Sequence, residues 1–181
     1  MLSLYRLPGR LPEEKIIKIL RRDIFILFKK IIMFVFLIIL PFVFFYFVLF
    51  FQPDLLSGII ARPLIILGTS SYFLFIWLFF FFSFIDYYLD IWIITNERII
   101  DVQQEGFFAR TISEQRLYRV QDVTSEVHGF FPTILKYGNV YIQTAGARQR
   151  FLFSEVPLPD EIRNIIIKLA ESSKKKHRLD A

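Results

Sequence analysis

The feature that most constrains this chain is a run of residues, 31–51, with no charged side chain. As a helix this run would be about 32 Å long, close to the hydrocarbon thickness of a bilayer at about 30 Å. A second uncharged run covers residues 63–85, and the connector 52–62 between them is short. The sequence therefore predicts a two-helix transmembrane hairpin over residues 31–85.

Pro41 lies in the middle of the first run. A proline inside a helix donates no backbone hydrogen bond, so the carbonyl four residues earlier loses its partner. Transmembrane helices tolerate this defect when a neighbouring helix supplies a replacement donor. We therefore expect the second helix of the hairpin to pack against the first near this proline.

Basic residues flank the first run on one side only. Eight Lys or Arg residues precede it, whereas the connector carries only Asp54 and Arg62. In membrane proteins, cytoplasmic segments carry an excess of positive charge, which predicts that residues 1–30 are cytoplasmic. Two crossings then return the chain to the cytoplasm. The expected topology is multi-pass, with both termini cytoplasmic. A cleaved signal peptide is disfavoured, because the first run starts late and ends without a small-residue cleavage site.

The N-terminal segment, residues 1–30, contains apolar residues at intervals of about three to four. This spacing predicts an amphipathic helix beginning at Pro12 and running toward Lys30. One interpretation is a basic helix lying on anionic lipid. The other, which we favour, is an anchor that only extends the first span. The apolar positions are Ile16, Ile17, Leu20, Ile24 and Leu27.

After Ile85 the pattern changes to short alternating runs, which are typical of strands. Six or seven antiparallel strands are expected up to Phe153, and Phe130–Lys136 is expected to form a helical turn. Ile162, Ile165, Ile166 and Leu169 then indicate a closing amphipathic helix. The predicted domain covers residues 86–172 and is a barrel or orthogonal sandwich capped by a helix. Residues 173–181 are expected to form a disordered basic tail.

Five short segments of this half, taken in order, resemble the bacterial pleckstrin-homology-like (PH-like) domain of the YdbS-like membrane proteins. Members of that family commonly carry two transmembrane helices just ahead of the domain. The resemblance covers about Tyr87 to Ala170 and implies a mainly-β split barrel with a C-terminal capping helix, no enzyme activity and no established ligand. The segments are WIITNERII from Trp92, Gly106-Phe107-Phe108, RVQDV from Arg119, YGNV from Tyr137, and Thr144-Ala145-Gly146.

Most residues of these segments also have a structural explanation. Glycines permit positive φ in hairpin turns, aromatic residues fill the core or the membrane edge, and Asp122 can accept hydrogen bonds from nearby backbone N–H groups. We therefore interpret the motif as mainly structural. Its residues are Trp92, Thr95, Arg98, Gly106, Gln121, Asp122, Gly129, Tyr137, Gly138, Thr144 and Gly146.

The composition argues against familiar catalytic chemistry. The chain has no cysteine and only two histidines, His128 and His177, so thiolate nucleophiles and Cys- or His-based metal sites are not expected. Asp86 and Asp90 are one helical turn apart, but we interpret them as the polar boundary of the second span. The sequence predicts neither an enzyme nor a cofactor or metal site.

Basic residues near predicted strand ends are candidates for contacts with lipid headgroups or a partner protein. From Asp86 onward, however, 13 basic residues balance 13 acidic ones, so the formal charge of +5 comes from the N-terminal segment. Nucleic-acid binding is therefore not expected. The candidate contact residues are Arg110, Arg116, Arg119, Lys136, Arg148 and Arg150.

Two functions compete at this point. The first is a non-catalytic binding or scaffold module in the bacterial plasma membrane, whose domain engages a protein partner, anionic lipid headgroups or both. The alternative is a structural or transport-associated subunit that forms homo-oligomers through its hairpin, with the barrel regulating assembly. The alternative is weaker because neither span carries a charged residue or a polar stripe suited to a solute path.

Overall fold

The structure, a computed structural model, describes residues 9, 14–51, 58, 60–106, 109–144 and 151–179. They form two compact units. One unit comprises Met1–Asp23 with Tyr88–Ala181, and the other comprises Ile24–Tyr87. The first unit contains seven strands and two helices among its described residues, and the second contains two long helices.

The helical unit consists of α1 (Ile24–Phe51) and α2 (Ala61–Leu89). Both are long and apolar enough to cross a membrane, and only 6% of the most apolar window of each is buried. Both extend beyond the predicted runs. The helix α1 begins seven residues before residue 31, so Lys29 and Lys30 lie within it. The low burial separates these helices from the core helix of a soluble domain, which would be mostly enclosed.

Contacts between α1 and α2 confirm the expected repair at Pro41. The hydroxyl of Tyr72 on α2 donates to the carbonyl of Leu37, the residue four positions before Pro41, at 2.8 Å. Elsewhere the pair is held by an edge-to-face contact between Phe34 and Phe80, with ring centroids 5.1 Å apart. The helices therefore form an antiparallel hairpin whose outward surface is almost entirely apolar.

The β-rich unit has two antiparallel sheets. The four-stranded sheet has the order β1-β2-β3-β4, and the three-stranded sheet has the order β5-β6-β7. The bounds are β1 Ile16–Leu20, β2 Ile91–Thr95, β3 Arg98–Glu105, β4 Ala109–Arg116, β5 Val120–Glu126, β6 Tyr137–Thr144 and β7 Phe151–Pro157. One 3-10 turn, Leu117–Arg119, joins the sheets, and α3 (Phe130–Leu135) joins β5 to β6.

One hydrophobic core unites both sheets with the C-terminal helix α4 (Pro159–Leu179). Trp92 on β2, Leu117 in the 3-10 turn and Phe153 on β7 are almost fully buried there, and α4 contributes Ile162 and Ile166. This arrangement confirms the predicted fold class, a two-helix hairpin with a mainly-β, PH-like domain closed by a helix. It also confirms the helical turn predicted around Pro132.

The amphipathic helix predicted from Pro12 to Lys30 is wrong for residues 16–20 and right for residues 24–30, while Pro12 lies outside the described residues. Residues Ile16–Leu20 form strand β1, which pairs with β2 so that Leu20 lies opposite Trp92. The spacing of apolar residues fits a helix locally, but pairing with the edge of β2 buries Leu20 in the core and overrides that preference. The helix begins only at Ile24.

This correction changes the domain organisation. The hairpin does not precede the PH-like domain, because the first strand of that domain lies before it in the sequence. The helices α1 and α2 are instead inserted between β1 and β2. Three residues, Arg21–Asp23, join β1 to α1, and Asp90 alone joins α2 to β2. The PH-like domain therefore comprises β1 as well as the residues after α2.

The predicted disordered tail is also wrong up to Leu179, since α4 continues to that residue. Side chains of its last two turns find partners on the barrel. The Lys176 ammonium donates to Glu97 at 2.9 Å, and the His177 ring stacks on Tyr118 with centroids 4.3 Å apart. These contacts offset the entropy that ordering the segment costs.

Candidate functional site

Glu14 and Arg98 form a buried ion pair that ties the N-terminal segment to the barrel. Glu14 is 1% exposed, and Arg98 donates to its two carboxylate oxygens from Nε at 2.9 Å and Nη2 at 3.1 Å. The Nη1 of Arg98 also contacts the carboxylate of Glu114 on β4. The hydrogen bond to Glu14 is the main reason that the pKa of Arg98 lies above its ordinary value.

The turn between β2 and β3 supports this pair. The Thr95 hydroxyl lies 2.9 Å from Glu14 Oε1 and accepts the backbone N–H of Arg98 at 2.9 Å. Asn96 and Lys15 bond reciprocally, because the Lys15 N–H donates to Asn96 Oδ1 and the Asn96 N–H donates to the Lys15 carbonyl. The turn formed by residues 95–98 therefore holds Glu14 and Lys15 of the N-terminal segment in place.

A second polar cluster lies where the chain leaves the barrel for the helices and returns. Arg22, just before α1, donates to the Asp90 carboxylate at 2.8 Å, and Asp90 directly follows α2. The other oxygen of Asp90 accepts the backbone N–H of Gln104 on β3 at 3.0 Å. The residues of the β-rich unit that flank the inserted hairpin are thus joined to each other and to the sheet. This cluster is the candidate functional site.

Asp101 lies beside this cluster on the core face of β3, opposite Trp92 in the β2–β3 register. It is 6% exposed, and burial, with a smaller contribution from the charge of Asp90, raises its pKa to about 6. A hydrogen bond from Gln103 Nε2 at 2.9 Å opposes the rise. The indole N–H of Trp92 opposes it more weakly, without forming a hydrogen bond of standard geometry.

The alternation of apolar and polar residues in β3 predicts a strand correctly but does not predict that Asp101 is buried. Ile100 and Val102 do face away from Asp101, but both faces of the strand are buried, and the Asp101 side chain points inward. The signal was present in the sequence, because β2 is apolar at four consecutive positions and such runs are typical of strands covered on both sides.

The motif around Tyr137 fixes Asp23, the residue that follows Arg22 of the candidate functional site. Asn139 Oδ1 accepts the backbone N–H of Glu155 at 2.9 Å, where β7 bulges and Glu155 adopts a φ of 54°. The carbonyl of Glu155 then accepts the N–H of Asp23, the residue before α1, at 2.7 Å. Burial, followed by the charges of Glu155 and Asp23, raises the pKa of Tyr137.

Gly138 has a different role from the predicted one. It lies in β6 without a positive φ, and a Cβ there would be 2.5 Å from the Glu126 carbonyl oxygen. The residue is required for close approach of β5, not for a hairpin turn. Gly106, at φ 71°, does have the positive φ expected of a turn glycine.

The remaining motif residues that the structure describes lie in strands, in the core or next to a turn. Trp92 packs on Phe153, with ring centroids 5.4 Å apart, and Asp122 Oδ1 accepts the N–H of Val123 at 2.8 Å. Gly129 precedes α3, Thr144 is buried and Gln121 is exposed on β5. Gly146 lies outside the described residues.

The basic residues proposed for headgroup or partner contacts are distributed over several elements. Arg110 and Arg116 lie near opposite ends of β4, Arg119 is near the ring of Tyr118, and Lys136 follows α3. Arg148 and Arg150 lie outside the described residues. Within the described part of the chain, no group of three or more His, Asp or Glu side chains is arranged to hold a metal ion.

Comparison with known proteins agrees with this fold. The family model described as "Bacterial PH domain" matches residues 23–170, well over half of the chain. A pleckstrin-homology-domain protein of the DUF1696 family from Shewanella loihica has a solved structure with 14% sequence identity and a TM-score of 0.38. The similarity covers 45% of this chain and 70% of that one. No curated protein matches the sequence. Because the family model matches well over half of the chain, the chain belongs to the bacterial PH domain family.

Proposed function

We propose that this protein is a non-catalytic binding or scaffold module whose PH-like domain is held at the cytoplasmic leaflet of the bacterial plasma membrane by its helical hairpin. The observation that carries the proposal is the insertion of two apolar helices between β1 and β2. A barrel interrupted in this way is tethered at two points, each by three residues or fewer, and the Arg22–Asp90 ion pair joins the two points.

The charge distribution favours a protein as the main partner of the domain over a lipid headgroup. The chain from Asp86 onward has equal numbers of basic and acidic residues. Its described candidate cations are spread over different elements, whereas headgroup recognition relies on several cations acting together. A shape-specific contact made by exposed strand and turn residues is the better fit.

The sequence also supports a non-catalytic role, because it lacks cysteine and has only two histidines. The contacts of these histidines are not those of a general base with its nucleophile. His128 lies 3.3 Å from Glu126 at an exposed position, and His177 stacks on Tyr118. Neither contact places a histidine beside a serine, threonine or cysteine that it could activate.

The absence of cysteine permits a direct test of anchoring and orientation. Asp54→Cys introduces a single thiol in the connector, and Glu171→Cys introduces one on the exposed face of α4. In intact cells, a membrane-impermeant maleimide is expected to label the first variant, and the second only after permeabilisation. Recovery of the protein in the soluble fraction, or the reverse labelling pattern, would contradict the proposal.

The partner can be sought with a photo-crosslinking amino acid placed at Arg119 or at exposed Gln121, in the full-length protein in cells. A scaffold module is expected to give one or a few discrete crosslinked species that an excess of uncrosslinked protein competes away. The same residue placed at Phe44 in α1 serves as a control for contacts inside the bilayer. Only self-crosslinks, seen from both regions, would favour the oligomeric alternative.

A further inference from the structure

The short helix α3 exposes four large apolar side chains to solvent. Phe130, Phe131, Ile134 and Leu135 are 44–74% exposed, although each is large enough to contribute to a core. Contiguous apolar surface of this kind on a folded domain usually marks a contact site. We call these four residues the α3 patch.

Polar groups at both ends of α3 form hydrogen bonds within the helix itself. Thr133 donates to the Gly129 carbonyl from both its N–H, at 3.2 Å, and its hydroxyl, at 2.8 Å. Pro132 has no N–H to satisfy, and the N–H of Lys136 donates back to the Pro132 carbonyl. These groups would therefore not be left without hydrogen bonds if the helix entered the interface of a bilayer.

The position of α3 within the barrel indicates which surface it meets. Lys136 ends α3, and Tyr137 follows it directly. Asn139, two residues after Tyr137, accepts the N–H of Glu155 at 2.9 Å, and the Glu155 carbonyl accepts the N–H of Asp23, the last residue before α1, at 2.7 Å. The C-terminal end of α3 is therefore connected, through β6 and Glu155, to the residue at which the chain leaves the barrel for α1.

We propose that the α3 patch inserts into the interfacial region of the membrane that holds the hairpin, as an additional contact between barrel and lipid. Phenylalanine rings and aliphatic side chains would lie at the headgroup–acyl boundary. The exposed Lys136 would place its ammonium among the phosphates while its methylene groups follow the apolar side chains. This inference rests on the proposed membrane anchoring.

The test uses full-length single-cysteine variants in vesicles of phosphatidylethanolamine and phosphatidylglycerol. An environment-sensitive fluorophore is attached at Phe131→Cys for the patch, at Phe44→Cys for the hairpin, and at Gln121→Cys on exposed β5 as the control. Phe131 and Gln121 are exposed, so neither substitution removes core packing. Lipids carrying a spin label near the headgroup, or near the end of the acyl chain, act as quenchers.

We expect the probe at position 131 to show blue-shifted emission and quenching by the shallow label, and the probe at position 121 to show neither. Quenching at position 44 without quenching at position 131 would overturn the α3 proposal and leave the anchoring intact. Absence of quenching at position 44 would overturn the anchoring, and with it this inference. A blue shift at position 131 without lipid quenching would mean that protein covers the patch, which also overturns the proposal.

Discussion

Arg98 and Glu14 are 84 positions apart in the sequence, yet they form a buried ion pair through two hydrogen bonds. This pair fixes the segment before β1 against the β2–β3 turn. It explains why an arginine in the motif that resembles the bacterial PH-like domain has a structural role. Its partner, Glu14, lies outside the segments that carry the resemblance.

Arg98→Met should destabilise the PH-like domain strongly, because it leaves the Glu14 carboxylate buried without its cation. Breaking a buried pair in this way typically costs about 3–5 kcal/mol of unfolding free energy. Thermal or denaturant unfolding of the full chain in detergent measures the loss. Arg116→Met is the matched control, since Arg116 lies opposite Arg98 on β4 but is exposed. Equal stability of the two variants would contradict the assigned role.

Asp101→Asn should stabilise the protein at neutral pH. The pKa of Asp101 in the folded state, about 6, is above its ordinary value of 3.8, so folding favours the protonated form. The stability that this group contributes is full below about pH 3.8 and is lost as pH rises through about 6. The asparagine variant avoids this loss, with a gain of at most about 3 kcal/mol.

The measurement for Asp101 is the unfolding midpoint of both proteins as a function of pH. The curves should lie close together near pH 4 and separate between about pH 4 and 6, with the variant higher. Asp122→Asn, at an exposed position on β5, is the control. Parallel curves for wild type and Asp101→Asn would show that Asp101 does not titrate in this window.

Gly138→Ala should weaken the packing of β6 against β5. The added Cβ would lie 2.5 Å from the Glu126 carbonyl oxygen and 2.9 Å from Val127 Cγ2, so the backbone must move. Overpacking of this kind typically costs about 1–3 kcal/mol of unfolding free energy. Gly68→Ala in α2 is a suitable comparison, because a Cβ there meets nothing within 4 Å. Unchanged stability at position 138 would refute the close-approach argument.

Tyr72→Phe should destabilise the helical hairpin by about 1 kcal/mol, since hydrogen bonds between helices in lipid have roughly this value. The lost bond is the one that Tyr72 donates to the Leu37 carbonyl. Denaturation in mixed micelles measures the change. If Pro41 creates the need for this donor, Pro41→Ala should reduce the effect of Tyr72→Phe, because Leu37 then regains a backbone partner. Additive effects of the two substitutions would refute this coupling.

Local patterns predicted the elements whose partners are close in the sequence. The uncharged runs predicted α1 and α2, since length and lack of charge alone determine whether a helix can span a bilayer. Alternating residues predicted β2 to β7 approximately, and Ile162, Ile165 and Ile166 predicted α4. The resemblance to the bacterial PH-like domain then indicated the fold that these elements form.

The tertiary structure decided what depends on distant partners. Residues Ile16–Leu20 satisfy a helical periodicity, and only the open edge of β2 makes them a strand. Asp101 alternates with apolar neighbours as an outward residue would, and only the packing of both sheets places it inside. The sequence thus determined two apolar helices and a PH-like domain. The pairing of β1 with β2, which are separated by residues 21–90, decided that the helices are an insertion within that domain. Such a contact between strands distant in the sequence leaves no local pattern.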